Sequence, residues 1–179
     1  LSPIEITSDP DGNSQLTLRR NLADALPVCE TVSGTQTVIR VADWDGSTTF
    51  EQCQVNGTAS DGAGREWPAT LLEHKQAAND AGGSVTALIY DPVNGIGQWF
   101  SMSVPDSGTR PDEVVCIASA ESACAWNGSA NYAPDGGSAL YSYIALIAEV
   151  TYRVTDGLLA RVESASGTEL RIASGVDRF

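Results

Sequence analysis

At 179 residues and 42% apolar content, the chain is long enough and apolar enough to bury one sizeable core, and it is not a disordered segment. Its net charge of −13, from 23 acidic and 10 basic residues, excludes the basic surface needed to hold a nucleic-acid backbone or an anionic membrane. No run of about 18 apolar residues occurs, so no membrane-inserted helix is expected.

Only Lys75 is a lysine; the other nine bases are arginines. A lysine-poor acidic surface favours solubility and would also suit a high-salt habitat. No charged leader with an apolar stretch is visible, so either none existed or Leu1 follows a cleavage.

Residues 1–6 read as a short extended segment with Ile4 and Ile6 on one side and Pro3 suited to a sheet edge. Two readings stay open. The segment is an ordinary first strand, or residues 1–7 are an N-terminal arm that adds to a neighbouring subunit's sheet, with Leu1, Ile4 and Ile6 making the assembly contacts.

Asp9-Pro10-Asp11-Gly12-Asn13 is a turn. Asp9, Asp11 and Asn13 also set oxygen ligands at alternate positions, as calcium loops do. The sixth loop position holds no glycine and the twelfth holds Arg20, so the loop is not an EF-hand. Asp43 and Asp45 repeat the partial pattern in a second turn. Turn chemistry accounts for both unaided; calcium is the cofactor they would take.

Strands are expected over residues 15–19, 35–42 and 48–55, the last carrying Cys53. Four cysteines without a Cys-x-x-Cys pair or a histidine set favour disulfides over zinc. Sequential pairing, Cys29–Cys53 and Cys116–Cys124, is expected. Disulfides belong to oxidising compartments, which points to a secreted or extracellular protein or a virion surface.

Residues 56–65 are rich in Gly, Ser and Asp and read as an exposed loop. Asn56-Gly57-Thr58 there, and Asn127-Gly128-Ser129 later, are glycosylation sequons. Residues 67–81 form the one helix candidate, with Pro68 at its start and Gly82-Gly83 at its end. His74 falls within it, away from the cysteines, and is expected to be exposed or half-buried. Residues 84–104 form a hairpin about Asn94-Gly95, and 112–118 a strand bearing Cys116. Residues 125–138 are irregular. Trp126 and Tyr132 there could stack on a sugar or dock a partner, or pack into the core beside Cys124.

Residues 147–162 carry the clearest alternation, expected at the centre of the core. Ala148, Val150, Tyr152 and Val154 alternate with Glu149, Thr151, Arg153 and Thr155 before Asp156-Gly157. A two-residue loop would set polar positions of one strand opposite apolar positions of the other. A three-residue loop with a bulge at Gly157 restores the parity, pairing Val154 with Leu158 and Tyr152 with Ala160, and is the expected register. It also faces Glu149 with Glu163. A last strand is expected at 168–173.

Eight to ten strands, frequent turns and one helix predict a single, mostly β domain over residues 1–179, an antiparallel β-sandwich or jelly roll stapled by two disulfides. No nucleophile elbow is present and the lone histidine has no evident partner, so no enzyme is expected. Two functions fit. One is an extracellular or virion-surface structural protein that self-assembles with copies of itself as a filament, coat or surface layer. The other is a secreted module binding a glycan or protein, with or without calcium.

Overall fold

The computed structural model describes residues 4–8, 13–106, 111–118, 124–134, 140–162 and 169–176. In chain order the elements begin with β1 (Ile4–Ser8), β2 (Ser14–Asn21), β3 (Leu26–Pro27) and β4 (Val38–Arg40). A 3₁₀ turn (Glu51–Cys53), β5 (Thr58–Ser60), β6 (Glu66–Pro68) and α1 (Ala69–Asp80) follow. The remainder is β7 (Val85–Asp91), β8 (Ile96–Ser103), β9 (Glu113–Ile117), β10 (Tyr143–Thr155), β11 (Leu158–Val162) and β12 (Glu169–Ser174). The protein is mostly β, its strand ladders are antiparallel, one α-helix occurs among the described residues, and disulfides join Cys29–Cys53 and Cys116–Cys124.

Where composition suggests one domain, the chain's contacts fall into two compact units: residues 22–146, and residues 1–21 with 147–179. The larger unit holds the deep core. The first residues of β10 pair with β7 and β3, and β7, β8, β9 and β4 continue the sheet. Ala87, Ile89, Phe100, Met102, Val114, Cys116, Ile144 and Leu146 belong to one buried cluster. Trp67 of β6, with Leu71 and Leu72 of α1, packs into the same cluster, which gives a sandwich-like layering. This unit is therefore centred on the 84–104 hairpin, not on residues 147–162.

Two sequence expectations shift here. Trp67 and Pro68 end β6, and the helix begins at Ala69 with Pro68 as its cap residue. The segment 48–55 is not a strand. The Asp43 carboxylate accepts the backbone N–H groups of Ser47 (2.9 Å) and Thr48 (3.0 Å), so these donors are withdrawn from any ladder. The chain then coils through the 3₁₀ turn and retains only a bridge between Asp43 and Gln54.

In the smaller unit β1 pairs with β2, β2 with β10, β10 with β11, and β11 with β12. The three-residue loop is overturned: Thr155 pairs with Leu158, Val154 with Leu159 and Arg153 with Ala160. Asp156 (φ 51°) and Gly157 (φ 73°) both occupy the left-handed region. That is the type I′ turn, whose twist matches the strands. Parity could not overrule it, because in this hairpin only Val154 and Ala160 are fully buried and both faces are otherwise partly open. Glu163 lies outside the described residues, and Glu149 instead neighbours Arg19 across β2.

Candidate functional site

The Asp43–Asp45 turn is organised around a guanidinium. Arg40, at the end of β4, donates through Nη2 to Asp43 Oδ1 (3.0 Å) and Asp45 Oδ1 (2.8 Å), and through Nε to Asp112 Oδ2 (3.2 Å). Asp43 and Asp112 are buried, and buried carboxylates need such a partner. Arg40 thus stands where a cation bound by Asp43 and Asp45 would sit. Asp9 and Asp11 lie outside the described residues, and Asn13 borders β2. Among the described residues no cluster of three or more His, Cys, Asp or Glu side chains is disposed to hold a metal.

A second polar cluster fastens α1 to the β5–β6 ribbon. The Lys75 ammonium is buried, 4.1 Å from the centre of the Trp67 ring, and donates to Asp61 Oδ2 (3.2 Å) and Asp106 Oδ1 (2.7 Å). Trp67 Nε1 donates to the same Asp61 oxygen (3.0 Å), and Arg65 pairs with both aspartates. The Arg65 backbone N–H, helped by Trp67 and Lys75, holds the Asp61 carboxyl well below the usual carboxylate range. Every charge here is answered, so the cluster works as a staple.

His74 is fully buried, contrary to expectation. Its Nδ1 lies 2.9 Å from the Thr70 carbonyl, and its Nε2 meets no hydrogen-bond partner among the described residues. Burial lowers its pKa below the ordinary value of 6.5, although the Thr70 carbonyl and the Asp24 charge act the other way. A ring sealed in the core cannot relay a substrate proton. It does set a pH dependence. A group whose folded pKa is depressed contributes stability above its unfolded pKa and loses it as pH falls. Unfolding free energy should therefore decline below pH ~6.5, by at most about 1.4 kcal/mol per pH unit. Urea titrations at stepped pH should show this decline, and His74→Leu should flatten it; an equally steep profile in that variant would assign the slope to other groups.

Trp126 and Tyr132 are core residues. Trp126 packs edge-on to Phe100 (5.3 Å) and Tyr132 (6.1 Å), and its Nε1 donates to the Gln36 carbonyl (2.7 Å). Tyr132 is fully buried, and burial with the nearby Asp91 charge pushes its pKa up. Asp91 itself, although burial opposes its ionisation, accepts the Asn131 N–H (2.8 Å) and the Asn94 amide (2.7 Å), which hold its pKa down and tie the loop to the β7–β8 turn. Neither ring offers a face to a sugar. The sequon residues Asn56 and Asn127 are both exposed.

The smaller unit carries an open apolar surface at its sheet edge. Ile4–Ser8 pairs with its own β2 as a strand of its own sheet; Leu1 lies outside the described residues. The ladders place Ile4, Leu18 and Val150 in one row of a face and Ile6, Leu16 and Tyr152 in the next. Ile4 and Ile6 are 55% and 59% exposed. On the opposite face Arg19 bridges Glu5 (2.9 Å) and Glu149. Among the described residues β2 is the one strand that pairs with β1, so its other side is a sheet edge. A sheet edge flanked by exposed isoleucines is a template for pairing with another chain. Periodicity placed Ile4 and Ile6 on one side, and the Leu71, His74, Lys75, Ala78 spacing turns Lys75 inward; nothing local signalled the partners of Lys75 or the convergence on Arg40.

No family model matches this chain, no curated protein is similar to it, and no solved structure matches its fold.

Proposed function

We propose that this chain is an extracellular or virion-surface structural subunit that acts by assembling with copies of itself, as a filament, coat or surface layer. The observation that carries this reading is the open edge of β1 with Ile4 and Ile6 exposed beside it. Two closed disulfides are the mark of an oxidising environment and support a place outside the cytoplasm. The polar clusters around Arg40 and Lys75 support a structural role as well, because their carboxylates are engaged with the protein's own cations.

Sedimentation velocity over a wide range of concentration and salt tests the proposal. Oligomers should grow with concentration, and salt should favour them by screening the −13 charge. A monomer at every concentration and salt would sink it.

A further inference from the structure

We infer that β1 is the docking edge for a second copy of the same chain, the two β1 strands pairing antiparallel about a twofold axis at Ile6. This rests on the self-assembly reading and names its interface. The two edges of the smaller unit's sheet are not equivalent. Along β12 the register with β11 shifts between Leu159 and Ala160, and Arg171 sits in the strand. A bulge and an inserted charge are the devices that blunt an edge. β1 has no bulge: its register with β2 runs unbroken from Ile4–Leu18 to Ser8–Ser14, Ile4–Ser8 contains no Lys, Arg or Pro, and its one charge, Glu5, is paired with Arg19.

Charge favours a second copy at this edge. Residues 1–21 and 147–179 hold eight acidic and six basic residues, net −2, whereas residues 22–146 hold fifteen and four, net −11. Two smaller units can therefore approach against the least repulsion. The Glu5 charge at the edge is already met by Arg19.

The register follows from face parity and charge. A twofold axis perpendicular to the sheet keeps the apolar faces together only if it passes through a residue, because an axis between residues would set apolar against polar positions. An axis at Glu5 would oppose the two Glu5 side chains, and one at Thr7 would bring Glu5 against Asp9. An axis at Ile4 would draw Pro3, which has no N–H to donate, into the ladder. An axis at Ile6 pairs Ile6 with its copy, Glu5 with Thr7 and Ile4 with Ser8. No like charges oppose, and the isoleucine rows of both copies join into one stripe.

Cysteine trapping tests this on the full chain with its native disulfides intact. In the inferred pair the two position-6 Cα atoms lie about 4.5–5.5 Å apart, within disulfide reach. Ile6→Cys should form a covalent dimer under mild oxidation. Thr7→Cys alone should not, since its copies are offset by two residues, but mixed with Glu5→Cys it should give a trapped heterodimer. If wild-type protein sediments as an oligomer and the Ile6→Cys variant does not cross-link, or the Thr7→Cys variant alone cross-links as readily, the interface is wrong and self-assembly stands. If wild-type protein is monomeric throughout, both fall.

Discussion

Arg40→Leu is expected to destabilise the protein by about 3–5 kcal/mol, the range for removing one partner from a buried ion pair. The guanidinium is the shared cation of three carboxylates, and Asp112 is completely buried while Asp43 nearly is. Leucine fills part of the volume but leaves those carboxylates without their positive partner in a medium of low dielectric. The damage should spread, because Asp43 also fixes the backbone of Ser47 and Thr48, and the Asp112 carbonyl accepts the Val41 N–H (2.8 Å). Arg40→Lys should recover only part of the loss, since one ammonium cannot reproduce a planar fork that reaches three acceptors. Urea unfolding would read the effect as a lower midpoint at unchanged slope. A loss below about 1 kcal/mol, the range of solvated surface pairs, would mean that the cluster is wet and the burial argument fails.

The elements that rest on local chemistry were legible beforehand. Alternation from Val85 to Ile89, with Asn94-Gly95 in the connection, is sufficient to specify the β7–β8 hairpin. The even cysteine count pointed to disulfides, and of the three connectivities four cysteines allow, the expected sequential pairing is the one formed. The misses share a cause, a distant partner that overrides a local pattern. Thr48 to Val55 has strand-like composition, but Asp43 claims its first backbone donor, the Thr48 N–H, and that of Ser47 before it. In the 147–162 hairpin parity favoured one register, and turn twist won where burial was too shallow to resist. One miss was avoidable. Leu71, His74, Lys75 and Ala78 follow the i, i+3, i+4, i+7 pattern of a buried helix stripe. That pattern places the histidine and the only lysine inward, where both are found. The Lys75 partners, Asp61 and Asp106, lie 14 and 31 residues away, and no local spacing points to them.

Cys29→Ala with Cys53→Ala is expected to cost about 3.5 kcal/mol, from the chain-entropy cost of freeing a loop whose ends are 24 residues apart. The melting temperature should fall by about 10 °C for a chain of this length. The Cys116–Cys124 bond closes a separation of only 8 residues, and its removal should cost about 1 kcal/mol less. Calorimetry on the two double variants would compare them directly, and the reverse order would show that packing around Cys116 outweighs loop entropy. The first disulfide has a further consequence. The Cys29 N–H donates to the Arg40 carbonyl (2.8 Å), and the Asp43 N–H donates to the Cys53 carbonyl (2.7 Å). The bond therefore clamps both ends of the segment that wraps the guanidinium. Losing it lets residues 40–43 relax and water reach the carboxylates, which lowers the cost of removing Arg40. The effects of Arg40→Leu and the Cys29/Cys53 double variant should then fall short of additivity by about 1 kcal/mol, as for residues that share one network. Full additivity would mean that the ion cluster keeps its shape without the clamp.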